Sequence, residues 1–157
     1  MKKTIRRTGA AVAGVAVVAG GAVALTGPAD AAHTTKLHFA AHDVAGQMAF
    51  DDLGAPSPNG PGIGDVLAFT QRLTRHGHTA GRISNTAIGV DQKRHLFQAD
   101  GTIVLPHGTV EYGGLVSQGS KFVLAVTGGT GRYTGVSGTV AFAFPGHRQL
   151  ITLTLRR

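Results

Sequence analysis

The chain has 157 residues, enough for one ordinary domain, and 42% of them are hydrophobic, so it can bury a core and is not a disordered tail. It has no cysteine, which excludes disulfide frameworks, thiolate zinc sites and cysteine nucleophiles. It also has no Trp and only 6% aromatic residues, which argues against a platform of stacked rings for nucleic acid. Charged residues make up 15% while glycine reaches 24 positions, a balance suited to strands and turns rather than surface helices.

Lys2, Lys3, Arg6 and Arg7 open the chain, and Gly9 to Leu25 follows without a charge. Ala29-Asp30-Ala31 then offers small residues at the two positions a signal peptidase reads. The expectation is a secretory signal peptide over residues 1–31, a secreted extracellular protein, and a single domain over 32–157. The apolar run of 17 residues is near the lower limit for a membrane span, and its weak Ala/Gly hydrophobicity favours cleavage, leaving no membrane association. Of the 15 basic and 8 acidic residues, four and one leave with the leader, so 11 and 7 remain and the mature net charge is +4. No basic stripe survives to follow a phosphate backbone, so nucleic acid is not an expected partner.

Beyond Ala32 no helical stripe appears, and several windows alternate with the period of two of half-buried strands. Lys36 to His42 is the first. Residues 51–63, with Pro56, Pro58, Pro61 and three glycines, read as a loop. Asp65 to Leu73 places Leu67, Phe69, Gln71 and Leu73 on one face, and a polar turn over Arg75 to Thr79 follows. Gly81–Val90, His95–Leu105, Thr109–Leu115, Lys121–Thr127, Ser137–Phe144 and Arg148–Leu155 complete eight strands, linked by short Gly- or Pro-bearing turns. The spacing leaves no room for βαβ crossovers and fits an all-β barrel or a sandwich.

Val126-Thr127-Gly128-Gly129-Thr130-Gly131-Arg132-Tyr133 has the look of a dinucleotide-binding turn, but a Gly-rich, β-branched segment follows in place of a helix, and no acidic residue lies beyond it. The reading is structural: Gly128, Gly129, Gly131 and Gly135 form a tight turn that redirects one strand into the next.

Taken together the segments resemble a known family. Gly64-Asp65-Val66-Leu67-Ala68-Phe69-Thr70-Gln71-Arg72-Leu73 is similar to the Gly-Asp…Phe-Thr…Leu strand of allene oxide cyclases. Thr79-Ala80-Gly81 and Gly108-Thr109-Val110 with Gly113 resemble the strands that follow, and Leu124 to Gly135 is similar to their Leu-Ala-Ile-Thr-Gly-Gly…Gly…Phe-x-Gly signature. Dirigent proteins share that signature and carry a first-strand His-Asp pair like His42-Asp43. The resemblance covers about Leu37 to Leu155 and implies a closed eight-stranded antiparallel β-barrel around a hydrophobic pocket, often assembled as a dimer or trimer, so a homodimer or homotrimer is an expectation here.

By this resemblance His38 and Ala40 stand where the cyclases use Glu and Asn, Gln71 stands for an Asn, about Ile83 stands for a Cys, and Asp43 matches the dirigent Asp. Ser137 stands where dirigent proteins use an Arg. His38, Gln71, Asn85 and Asp43 are therefore the candidate catalytic residues, and Leu67, Phe69, Phe97, Tyr112 and Phe142 the candidate lining. Each also has a plain structural reading, as a hydrogen-bonded or packed side chain without chemistry. Ala40, Ala87, Gly89 and Ala99, if inward, leave space in the lumen, while Phe97, Phe122, Phe142 and Phe144 can fill it.

No metal site is expected. His38 and His42, four apart on a strand, are about 13 Å apart, too far to share an ion. The function expected is a secreted barrel that holds a small hydrophobic molecule and steers its cyclisation or coupling by confinement, as a cyclase or isomerase without a cofactor. The alternatives are a non-catalytic carrier of hydrophobic metabolites and a structural extracellular barrel.

Overall fold

The computed structural model describes residues 33–53 and 61–157. The expected leader, residues 1–31, and the middle of the Pro/Gly loop, residues 54–60, lie outside the described residues. Eight strands follow in chain order: β1 (Thr34–Asp51), β2 (Val66–Arg75), β3 (His78–Asp91), β4 (Leu96–Leu105), β5 (Gly108–Ser117), β6 (Lys121–Gly129), β7 (Ser137–Ala143) and β8 (Gln149–Arg156). Each pairs antiparallel with the next. β1 returns to β8 from Thr34↔Arg156 to Ala41↔Gln149 and closes the sheet. Closure leaves no strand edge exposed, which matters in a chain without a disulfide to hold it.

Two differences from the sequence pattern have local causes. β1 runs past its expected end at His42 to Asp51, because a bulge between Asp43 and Met48 interrupts the alternation and hides the second half of the strand. The polar turn after β2 is shorter than expected: only His76 and Gly77 form it, both at positive φ, and β3 starts at His78. That two-residue geometry has the twist of the strands it joins.

The glycine motif ends β6 and leads into a single 3₁₀ turn at Gly131–Tyr133. This turn docks on the β4–β5 hairpin, with Thr130 N donating to the Thr109 carbonyl at 2.9 Å and Arg132 N to the His107 carbonyl at 2.8 Å. Gly131 has a φ of 57°, and a Cβ there would overlap the His107 carbonyl, so both conformation and space require glycine. Gly128 and Gly129 close β6, and Gly135, at positive φ with open space around it, turns the chain toward β7. The motif is thus a strap between hairpins.

An eight-stranded barrel has an interior just wide enough to be filled by side chains. Here a belt of aliphatic residues does so across the middle. Leu73, Ile83, Ile103, Val110, Val140, Ile151 and Leu153 are all fully buried. Leu153→Ala should lower stability by about 2–5 kcal/mol, through lost burial and the cavity it leaves. Leu115→Ala, on the outer face, should change it by less than about 0.5 kcal/mol. Urea unfolding midpoints check this, and similar shifts for the two variants would contradict an inward belt as the core.

Candidate functional site

The belt fixes which side chains face inward, because alternation then extends it along each strand. On β2, Gln71 and Leu73 are buried while Arg72 is exposed, so Leu67 and Phe69 share the inward face. On β3 the same parity carries Asn85 and Ala87 inward beside Ile83, and on β4 it carries Phe97, Ala99 and Gly101 inward beside Ile103. Toward the β7–β8 turn, Leu67, Phe69, Ala87, Phe97, Ala99 and Val116 are half-buried rather than buried. These side chains line the barrel wall on that side.

Asp65, at the entry to β2, is buried with its Oδ2 accepting from Gly62 N at 2.6 Å, and within the strands polar groups enter this apolar wall at two further places. Gln71 is only 5% exposed, and its Nε2 donates to Asp43 Oδ1 and to Gln149 Oε1, both at 2.8 Å. A carboxylate only accepts, so Asp43 orients the Gln71 amide with its nitrogen toward the β1–β8 side. The Gln71 Oε1 on the other side is buried and has no partner among the described residues.

The second place is a row across three strands. Asn85 on β3 sits opposite Gly101 on β4, which sits opposite Tyr112 on β5. A side chain at Gly101 would overlap the Tyr112 ring, so glycine lets the ring lie across the strand and reach Asn85. Tyr112 Oη donates to Asn85 Oδ1. Burial pushes the Tyr112 phenol above its ordinary value, so it stays protonated and remains a donor. With Oδ1 turned to the phenol, Asn85 Nδ2 is buried and has no partner among the described residues. Asn85 is the diagonal neighbour of Gln71, through the Gln71↔Ile83 pair. Such neighbours are about 7–8 Å apart, so a free acceptor and a free donor stand within one small molecule's reach.

An aromatic wall backs this pair. Tyr112 lies 5.7 Å from Phe142 between ring centroids, Phe142 stacks on Phe122 at 4.8 Å, and Phe122 continues to Phe144 at 5.8 Å. Phe142 is buried within the core, whereas Phe122 and Phe144 are half-buried toward the open side. At the β1 bulge a groove of about 400 Å³ is lined by Gly46, Met48, Phe69 and Asn85 among others, so the polar row also borders the barrel wall where β1 departs from regular pairing.

The structure therefore brings together Gln71, Asn85, Asp43 and Tyr112 and separates His38 from them. Phe39 is buried, so His38, one residue away, points outward, where its Nδ1 lies 3.1 Å from Thr152 Oγ1 on β8. Placing His38 in a lumen site is corrected on that ground, and Ala40 shares its outward parity. The outward position also joins His38 with His42 and Arg148 around a surface cleft. Gln149, the third member of the amide network, is absent from the expected set. Its signal was present in the alternation Gln149, Ile151, Leu153, Leu155, which places the glutamine on the core face of β8.

The chain matches the family described as "Allene oxide cyclase barrel like domain" over residues 33–150. No curated protein matches it by sequence. Among solved structures it is similar to "Pyocyanin demethylase", at a TM-score of 0.68 and 22% identity over 77% of this chain and 99% of that one. It is similar to the pterocarpan synthase dirigent protein PsPTS1, at a TM-score of 0.64 and 19% identity over 79% and 94% of the two chains. The Diels Alderase AbmU from Streptomyces koyangensis aligns at a TM-score of 0.59 and 16% identity over 82% of this chain and 70% of its own. At these identities the likeness is one of fold. With the closed eight-stranded barrel and the family match over most of its length, the chain belongs to the allene oxide cyclase-like barrel family.

Proposed function

We propose that this protein is a secreted barrel that binds a small, largely apolar molecule carrying a carbonyl group and steers its cyclisation in the half of the lumen beside Gln71 and Asn85. The observation that carries the reading is the pair of buried, unpartnered polar atoms, Gln71 Oε1 and Asn85 Nδ2. Leaving such a group without a hydrogen bond costs about 1–3 kcal/mol, and a ligand that supplies the partner recovers it. Asn85 Nδ2 is a donor and fits a carbonyl oxygen, while Gln71 Oε1 is an acceptor and fits a hydroxyl or amide proton on the same molecule.

The chemistry follows from placement. A carbonyl hydrogen-bonded to Asn85 is polarised, and its conjugated chain becomes more electrophilic. Half-buried Leu67, Phe69, Phe97 and the aromatic wall restrict that chain to folded conformers in which the reacting carbons are close. No proton need move and no electron need be supplied. Tyr112 acts as a positioning residue: it holds Asn85 Oδ1, which leaves the buried Nδ2 as the donor without a partner among the described residues. Two structural neighbours are named as a cyclase that catalyses a [4 + 2] cycloaddition and as a Diels Alderase, which supports the same class of reaction. Export through the N-terminal leader is part of the proposal and rests on the basic start, the uncharged run from Gly9 to Leu25 and Ala29-Asp30-Ala31.

Binding of 1,4-naphthoquinone, an apolar dicarbonyl, tests the site. Calorimetry should show that Asn85→Leu weakens it about tenfold or more, near 1.4 kcal/mol. Gln71→Leu should weaken it less, and naphthalene should bind the wild type and Asn85→Leu alike. Equal quinone affinity in wild type and Asn85→Leu would overturn the assignment, and binding without turnover of any conjugated carbonyl substrate would make the protein a carrier.

The buried phenol has its own consequence. Its proton is held more tightly in the folded state, so above the ordinary tyrosine value of about 10 the unfolded chain ionises first and stability falls as pH rises. Tyr112→Phe should flatten that fall in urea midpoints between about pH 10 and 11. An unchanged slope would show that the phenol is not buried as described.

A further inference from the structure

The end of the barrel away from the amides has different chemistry. There the first residues of β1, the β4–β5 hairpin, the 3₁₀ turn and the end of β8 enclose a cleft of about 590 Å³. Its floor is apolar: Leu37, Phe39, Leu105 and Leu155 from the lower edge of the aliphatic belt, with Val136 beside them. Its rim carries Arg75, Arg132, Arg156 and Arg157. No aspartate or glutamate lines it, and among the described residues no carboxylate lies within ion-pair distance of any of the four arginines. Asp51, Asp52, Asp65 and Asp91 all lie at or just beyond the opposite strand ends.

Arginines from three separate elements, β2, the 3₁₀ turn and β8, converge here without a protein anion to balance them. Unbalanced like charges around one opening repel each other, and an anion held among them removes that cost. The guanidinium fork matches a carboxylate in two-pronged geometry. A bare inorganic anion would use the rim but not the floor, and a neutral apolar molecule would use the floor but not the rim. The volume is within the range of small-molecule sites.

We propose that this cleft is a second binding site, separate from the amide-lined half of the lumen, for an amphipathic carboxylic acid: its carboxylate among Arg75, Arg132 and Arg156, its apolar chain on Phe39, Leu105 and Leu155. The fully buried belt between the two ends keeps the sites apart. The proposal does not rest on the cyclisation reading, and either can fail alone.

Titration of the protein with decanoate, below its micelle concentration, tests this against decanol and acetate. Decanoate should bind about tenfold or more tightly than decanol, acetate should not bind measurably, and the decanoate advantage should shrink as salt is raised. The double variant Arg75→Gln/Arg132→Gln should bring decanoate down to the decanol level, and Asn85→Leu should leave it unchanged. Both arginines are exposed, so folding should survive, and Arg132→Gln alone, in the 3₁₀ turn, gives a second, smaller loss. Equal binding of decanoate and decanol, retention of full affinity in the arginine variants, or loss in Asn85→Leu would each overturn the proposal. So would sedimentation with anionic vesicles at decanoate-free conditions with no binding of decanoate itself, which would make the rim a membrane contact.

Discussion

Everything else in the molecule depends on the belt of aliphatic side chains that fills the barrel at mid-height. Closure through β1 and β8 forces every strand to present alternate residues inward, and eight strands leave an interior that one layer of Leu, Ile and Val can plug. The plug is the hydrophobic core of a chain with no disulfide. It is also a partition: the two ends of the lumen do not communicate through it, so each can carry its own chemistry.

On one side the chemistry is neutral and directional. Gln71 and Asn85 are each held by a protein partner on one side of the amide, Asp43 and Gln149 for the first and Tyr112 for the second. Holding one side leaves the other side aimed and unsatisfied, at a cost that a well-packed domain would avoid by using leucine. Glycine at 101 is part of the same arrangement, because the Tyr112 ring needs the space a side chain there would take. On the other side the chemistry is ionic, with arginines over an apolar floor.

Much of the fold was legible because period-two alternation survives wherever the strands are regular. β2, with Leu67, Phe69, Gln71 and Leu73 on one face, and β8, with Ile151, Leu153 and Leu155, read directly. β1 did not, since the bulge after Asp43 shifts the parity and erases the pattern that marks its second half. Among the site residues, Gln71 and Asn85 were legible by alternation from a buried neighbour, because a polar residue in an apolar stripe stands out. His38 was misplaced because family resemblance assigned it a slot, while its own strand parity, with Leu37 and Phe39 apolar on either side, points it outward. The Tyr112–Asn85 bond depends on a pairing across Gly101 that no local pattern encodes. The arginine rim comes from three segments far apart in the chain, and only the closed topology brings them to one end.

If the amide-lined half of the barrel is a small-molecule site, the protein should leave its own producer with a molecule bound there. Native mass spectrometry of the protein recovered from its own producer measures this most directly, comparing wild type with the Gln71→Leu/Asn85→Leu double variant. The wild type should carry a non-covalently bound small molecule, released on denaturation and absent from the double variant. An identical bound species on both proteins, or an unliganded mass for both, would contradict it.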